Sequence, residues 1–300
     1  MTELANWVNG ARPRTLVASV APVLVGTAAA GRASLWRTLA ALVVGLGLQV
    51  GVNFANDYQD GTRGVDTDER LGPPRLTSSG LASPRAVLVA ALLSIAVAGV
   101  AGLALAVATT LWLIPIGAVA MLALWLYSGG PRPYAALGLG EVMVFAFFGL
   151  MATAGTAYVQ AGRIPAAAWW SAAAMGFLAV AILEANNVRD ISTDRSAGKR
   201  TLAVRLGDQR ARTLYRALIV AAFVAIVLGV AVGIVDVGYG LSQWALLALA
   251  AWPLAIGPVE AVGKAEGREL IPVLTGTAQL QLAFAALLAL GMWLAATAAQ

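Results

Sequence analysis

The sequence predicts an all-α protein, a polytopic membrane bundle of about nine transmembrane helices. Of the 300 residues, 60% are hydrophobic and only 12% are charged, whereas an average soluble protein carries about 25% charged residues. The apolar residues also recur in stretches of about 20, the length that a helix needs to cross a bilayer. We therefore expect a single integral-membrane domain over residues 1–300, surrounded by lipid.

Each expected span is an apolar stretch that ends at a polar or Gly- and Pro-containing segment. The seventh is wholly apolar from Ala217 to Val235. The eighth contains Pro253 and Pro258, which a packed membrane bundle can accommodate as kinks. The predicted spans are 15–31, 37–56, 84–107, 110–128, 138–160, 167–188, 212–235, 241–259 and 273–297.

Positive charge indicates how the spans are oriented. With the N-terminus in the cytoplasm, all 20 Lys and Arg residues except Arg32, Arg37 and Arg163 fall on the cytoplasmic side. Cytoplasmic loops of membrane proteins carry such an excess. We therefore expect a multi-pass protein of a bacterial cytoplasmic membrane, with the two long acid-rich loops, 57–83 and 189–211, facing the cytoplasm.

Two absences limit the chemistry. The chain contains neither Cys nor His, which excludes disulfides, thiolate and imidazole metal sites, and Ser-His-Asp catalysis. Any reaction must therefore use Asp, Glu, Asn, Arg, Lys, Tyr or a bound ion.

A short acidic pattern occurs twice. "ANDYQD" at 55–60 and "ANNVRD" at 185–190 each end an apolar span and precede a basic loop, as expected of two related halves. In a helix, Asn53, Asn56, Asp57 and Asp60 share one face, at i, i+3, i+4 and i+7. On the second span, we expect a second such face, formed by Asn186, Asp190 and Asp194.

Two acidic faces at one mouth of a bundle need a cation between them. Unit charges about 4 Å apart interact by several kcal/mol where water is partly excluded. Oxygen ligands without His or Cys suit Mg²⁺, which commonly arrives with phosphate. Arg and Lys side chains in the same loops can neutralise the remaining phosphate charge. The pattern thus predicts a site for Mg²⁺ and a diphosphate.

At these motifs the sequence resembles the UbiA superfamily of intramembrane prenyltransferases. The first family motif, N-D-x-x-D-x-x-x-D, matches at Asn56, Asp57 and Asp60, but its third aspartate falls at Gly64 and the next acid is Asp66. The second motif, D-x-x-x-D, matches at Asp190 and Asp194. "ARPRTLVASVAPVLVG", "RLGPPRLTSSG", "YSGGPRPYAALGLGE" and "AGKRTLAVRLG" resemble the menaquinone branch, whose members use 1,4-dihydroxy-2-naphthoate. The resemblance covers most of the chain up to about residue 210.

The resemblance implies transfer of a polyprenyl group from polyprenyl diphosphate to 1,4-dihydroxy-2-naphthoate. Diphosphate and CO₂ are lost, and the product is demethylmenaquinone. We expect Mg²⁺ as cofactor, the lipid bilayer as surroundings and no nucleic-acid partner; prenyl chain length and oligomeric state are not predicted. The expected catalytic and metal-binding residues are Asp57, Asp60, Asp190 and Asp194, with Asp66 as a further metal ligand. The expected substrate-binding residues are Asn53, Asn56, Arg63, Arg132, Tyr134, Glu184, Asn186, Asn187 and Lys199.

Two alternatives remain open at this point. The same fold could act on another acceptor, such as 4-hydroxybenzoate, homogentisate, a chlorophyllide or haem, because all need the same diphosphate site. A secondary transporter would also contain repeats and acids, although transporters usually place ionisable groups near the midplane. Arg12 and Arg14 are expected at lipid headgroups, with Arg14 the better placed to face the site.

Overall fold

The computed structural model describes residues 3–64, 74–130, 133–236 and 238–298. Within these ranges every regular element is a helix. The α-helices are α1 (Glu3–Ala11), α2 (Val17–Ala29), α3 (Leu35–Thr62), α4 (Pro84–Thr109), α5 (Leu113–Ser128), α6 (Gly140–Val144), α7 (Ala152–Ala161), α8 (Ala166–Arg189), α9 (Ile191–Ser196), α10 (Leu202–Leu206), α11 (Asp208–Val235), α12 (Trp252–Ala261) and α13 (Ile271–Ala298).

Five further segments join these helices. Phe145–Met151 is a π-helix between α6 and α7, so that Gly140–Ala161 forms one continuous span. Gln243–Ala251 is a 3₁₀ segment that leads into α12. The switch falls at Pro253, which lies in the first turn of α12, where its missing N–H costs nothing. Two short 3₁₀ turns are Pro13–Thr15 and Ala135–Leu137, and a third is Gly267–Leu270.

The described helices confirm a membrane bundle. Seven are long and apolar enough to cross a bilayer, and two shorter apolar helices, α2 and α5, lie where the first and fourth spans were predicted. The number nine stays a prediction. The largest difference is at α3, which was expected to end at residue 56 but continues to Thr62. Since Asp57 and Asp60 therefore lie within a helix, the structure keeps them on the face predicted for them.

Helix α8 is the centre of the bundle. It packs against α11, the π-helix, α13, α2 and α7, and it is the most buried of the long apolar helices. Small residues allow this, because neighbouring backbones can approach a helix rich in Ala and Gly closely. The fully buried small residues Ala168, Ala172 and Ala181 are examples. The second acidic motif therefore begins at the end of the most tightly held helix.

Gly149 of the π-helix illustrates this packing. A Cβ atom added at Gly149 would overlap the Gly176 backbone and lie 2.9 Å from the Ala172 carbonyl oxygen. We expect Gly149→Ala to destabilise the bundle by about 1–3 kcal/mol, the usual cost of overpacking, seen as a lower unfolding temperature in detergent. Gly155→Ala is the matched control, because nothing lies within 4 Å of a Cβ there. Equal unfolding temperatures for the two variants would contradict this account.

Candidate active site

A central chamber of about 570 Å³ lies between α2, α3, α4, α5, the π-helix, α7 and α8. Most of its wall is apolar. Most of its polar residues lie where α3, α5 and α8 end, and Arg12 is the only charged side chain among the described residues that line it. The polar lining residues at this end include Arg12, Asn53, Asn56, Tyr127, Tyr134 and Asn186. The chamber thus has a polar mouth and an apolar interior.

The first acidic motif is almost fully buried at this mouth. Asp57, only 1% exposed, accepts hydrogen bonds from the backbone N–H groups of Leu76 (2.8 Å) and Thr77 (2.9 Å). Both of its oxygens are thus used to hold the backbone at Leu76 and Thr77 against α3. Asp57 has a structural partner at each oxygen, and its role as a metal ligand stays a prediction.

Asp60 is one turn further along α3 and pairs with cationic side chains. Its Oδ2 lies 3.3 Å from Arg75 Nη2 and 3.5 Å from Lys199 Nζ. Lys199 belongs to the segment after the second motif, and its backbone N–H donates to the Asp194 carbonyl at 2.9 Å. The Asp60–Lys199 ion pair therefore joins the two motifs, 139 residues apart in sequence, at one end of the bundle.

The second motif does not form one continuous helix face. Helix α8 ends at Arg189, Asp190 adopts non-helical angles (φ −97°, ψ 6°), and α9 begins at Ile191. The expectation that Asp190 and Asp194 lie in line with Asn186 on a single helix is therefore wrong. Because the chain turns at Asp190, its carboxylate is held by a bidentate pair with the buried Arg189 guanidinium, at 2.7 and 2.6 Å.

The donor set of this mouth fits a hard divalent cation. Asp60 and Asp190 offer carboxylate oxygens, and Asn56 and Asn186 are close to them along the same helices. Carboxylate and amide oxygens are the ligands that Mg²⁺ prefers. In the described ranges no three acidic side chains converge as a ready-made metal cage. Cationic side chains instead hold Asp60 and Asp190, so metal binding there requires these pairs to open.

Comparison with known sequences identifies the protein family. The "UbiA prenyltransferase family" matches residues 19–260. The chain belongs to the UbiA prenyltransferase family. It is 49% identical to the "1,4-dihydroxy-2-naphthoate octaprenyltransferase" of Mycobacterium tuberculosis, covering 97% of this chain and 99% of that protein. The protein of the same name from Escherichia coli is 36% identical, over 74% of this chain and 75% of that one.

Solved UbiA structures share the architecture. The apo structure of a UbiA homolog from Aeropyrum pernix aligns with a TM-score of 0.70 at 18% identity, covering 93% of this chain and 97% of that one. A homolog from Archaeoglobus fulgidus, bound to GPP and Mg²⁺, aligns with a TM-score of 0.61 at 17% identity, covering 94% and 99%. At these identities the likeness shows the fold, which confirms the predicted UbiA-like helical bundle.

Several residues expected to bind substrate in this UbiA protein lie at the chamber. Asn53, Asn56, Tyr134 and Asn186 line it. Asn53 has a further task, since its Nδ2 donates to the Ala11 carbonyl at 2.9 Å. Burial raises the pKa of Tyr134 to about 12, so its hydroxyl remains a neutral hydrogen-bond donor at neutral pH.

Three expected substrate ligands have other surroundings. Arg63 donates to the carbonyls of Ser128 and Gly130, both at 2.9 Å, and so holds the end of α5. Asn187 does not line the chamber; it donates to Glu141 Oε1 at 2.7 Å. Glu184 is fully buried and does not line the chamber. None of the three lines the chamber, and their roles in substrate binding stay predictions.

Two expected ligands, Asp66 and Arg132, lie outside the described residues, and their roles stay predictions.

Three cationic side chains at the site were not among the residues that the sequence predicted to bind substrate. Arg75 pairs with Asp60, Arg189 pairs with Asp190, and Arg12 lines the chamber in place of the exposed Arg14. The signal for Arg189 was its position beside Asp190. Arg75 lies in the family-like "RLGPPRLTSSG". The sequence favoured Arg14 as the arginine that faces the site, but Arg12 lines the chamber instead, because the choice depends on how the chain turns before α2.

Proposed function

We propose that this protein transfers a polyprenyl group from polyprenyl diphosphate to 1,4-dihydroxy-2-naphthoate. Diphosphate and CO₂ leave, and the immediate product is demethylmenaquinol, the reduced form of demethylmenaquinone. The observation that carries this proposal is the meeting of two acidic motifs at the mouth of an apolar chamber, in a chain 49% identical to a naphthoate prenyltransferase. Family membership also sets aside the transporter alternative.

The mouth is suited to hold a diphosphate. When bound, Mg²⁺ would neutralise the charge that grows on the leaving diphosphate as the allylic C–O bond ionises. We propose Asp57, Asp60, Asp66, Asp190 and Asp194 as the candidate metal-binding set. Asp60 and Asp190 are the best placed, since Asp57 is occupied by backbone amides. Arg75, Lys199 and Arg189, which pair with the acids, are placed to turn to the diphosphate oxygens.

The chamber protects the reaction and accommodates the tail. Its apolar lining excludes water from an allylic cation that water would otherwise consume. Leu103, Ile114 and Met151 line the chamber and are exposed apolar residues. The long hydrocarbon tail can therefore pass from the chamber into the surrounding lipid. The electron-rich naphthoate ring then attacks the cation at the polar end, beside Tyr127 and Tyr134.

The orientation of the protein is also a proposal. Because nearly all Lys and Arg residues fall on one side, we place the N-terminus and the active-site mouth in the cytoplasm of a bacterium. The chain has no Cys, so single cysteines introduced on either side can be labelled with a membrane-impermeant maleimide. Labelling of a cysteine near Arg163 in right-side-out vesicles would support this orientation, and protection there would contradict it.

An acceptor assay tests the proposed function. Purified protein in lipid nanodiscs is given labelled polyprenyl diphosphate, Mg²⁺ and either 1,4-dihydroxy-2-naphthoate, 4-hydroxybenzoate or homogentisate. We expect prenylated naphthoquinol as the main product and its loss on adding EDTA, because Mg²⁺ would neutralise the charge that grows on the leaving diphosphate. Excess Mg²⁺ should restore the product. Faster turnover of another acceptor, or turnover that survives EDTA, would contradict the proposal.

A further inference from the structure

Arg12 has an unusual position in this bundle. It lies between α1 and α2, and it is the only charged side chain among the described residues that line the chamber. The cations at the acidic motifs, Arg75, Lys199 and Arg189, all pair with Asp60 or Asp190 at the mouth. Arg12 thus places a guanidinium at the wall of a mostly apolar chamber, where an anionic group of a ligand would be attracted.

The backbone at Arg12 is held in a strained conformation. Arg12 has φ 55° and ψ 66°, and it is the one non-glycine residue with positive φ in the described ranges. Left-handed angles are costly for residues with a Cβ atom and persist where the surroundings enforce them, often at functional sites. Here the surroundings do enforce them. Asn53 binds the Ala11 carbonyl at 2.9 Å, and the Thr15 hydroxyl binds the Arg12 carbonyl at 3.0 Å.

The neighbours of Arg12 fit a flat aromatic ligand. Tyr127 and Tyr134 both line the same chamber, and their rings meet edge to face with centroids 5.4 Å apart. Arg12 lines the same chamber as these two tyrosines. Aromatic rings prefer such edge or offset arrangements, and a guanidinium presents a planar fork that matches a carboxylate.

We infer that the Arg12 guanidinium binds the carboxylate of the aromatic acceptor and holds its ring beside Tyr127 and Tyr134. This inference rests on the proposed function, because it takes the acceptor to be an aromatic carboxylate. The two anionic substrates then bind at different places in the site. The diphosphate is held by the acidic motifs with their metal and paired cations, and the carboxylate is held by Arg12 inside the chamber. Arg12 thereby selects acceptors that carry a carboxylate.

The first test measures binding without turnover. The fluorescent ligand 1-hydroxy-2-naphthoate, which carries the carboxylate, is titrated into wild-type protein and into Arg12→Ala, Arg12→Lys and Arg14→Ala variants. Losing one partner of a desolvated charge pair weakens binding strongly, so we expect the Kd to rise about 100-fold in Arg12→Ala. Arg12→Lys should lie between, because it keeps the charge and loses the fork. Arg14→Ala is the matched control, since Arg14 is adjacent but exposed, and should bind as the wild type does.

The second test uses turnover with two acceptors. For 1,4-dihydroxy-2-naphthoate, we expect Arg12→Ala to raise KM about 100-fold. For 1,4-dihydroxynaphthalene, which lacks the carboxylate and loses a ring proton instead of CO₂, kcat/KM should stay within about threefold. The KM for polyprenyl diphosphate should also be unchanged, and this value confirms that the variant is folded.

Four results of these tests would contradict the assignment of Arg12, and a fifth would contradict the proposed function. Equal losses with both acceptors, a raised KM for polyprenyl diphosphate, or unchanged naphthoate binding in Arg12→Ala would overturn the assignment of Arg12. Failure of the wild type to bind 1-hydroxy-2-naphthoate would overturn it as well. Failure of the wild type to turn over 1,4-dihydroxy-2-naphthoate while binding the naphthoate through Arg12 would instead overturn the proposed function.

Discussion

Replacing Asp60 or Asp190 by Asn should reduce prenyl transfer about 1,000-fold, the scale of losing one preorganised group that stabilises developing charge. Each substitution removes a carboxylate proposed to bind the metal while keeping the side chain's shape. We expect binding of Mn²⁺, used as a spectroscopic substitute for Mg²⁺ and followed by electron paramagnetic resonance, to weaken in parallel with activity. This readout separates loss of the metal from damage to the chemistry alone.

The control for these substitutions is Asp208→Asn. Asp208 lies at the start of α11, is largely exposed and pairs with Arg212 on the same helix. Exposed pairs of this kind contribute about 0–1 kcal/mol, so this variant should keep wild-type turnover and Mn²⁺ binding. Near-normal activity in Asp60→Asn or Asp190→Asn would show that the meeting of the two motifs at Lys199 is not the catalytic centre.

Asp57→Asn should have a different effect, because Asp57 holds the protein chain. Its two oxygens accept the N–H groups of Leu76 and Thr77, and an amide offers one acceptor where two are needed. Leaving a buried N–H unpaired costs about 1–3 kcal/mol. We expect a lower unfolding temperature, faster amide exchange at residues 76 and 77, and reduced activity, because Arg75 in the same segment is no longer held beside Asp60.

The comparison with Asp60→Asn makes this prediction specific. That variant leaves the Asp57 hydrogen bonds intact, so amide exchange at residues 76 and 77 should match the wild type. If Asp57→Asn kept wild-type exchange and stability but lost Mn²⁺ binding, the main role of Asp57 would be to bind the metal and not to hold the backbone at Leu76 and Thr77. The two neighbouring aspartates can thus be assigned separately, although the sequence pattern treats them alike.

Much of the site was predictable from short-range patterns. The helical spacing of Asn53, Asn56, Asp57 and Asp60 placed them on one face, and the structure buries all four. The same reasoning failed at Asp190, because periodicity assumes that a helix continues and α8 ends at Arg189. It also assigned Asn187 to the substrate, although Asn187 is adjacent to Asn186 and points to Glu141. Adjacent residues of a helix point in different directions, so one of the asparagine pair had to face away.

The sequence by itself determined the class of protein, the positions of the apolar helices and the presence of two acidic motifs. These depend on composition and local periodicity, which bilayer thickness and helix geometry translate directly into structure. Only the tertiary structure decided that Lys199 reaches Asp60, that Asp57 anchors the backbone at Leu76 and Thr77, and that Arg12 rather than Arg14 enters the chamber. Those contacts join residues far apart in the chain or depend on a single backbone turn, and both are fixed by how the helices pack around α8.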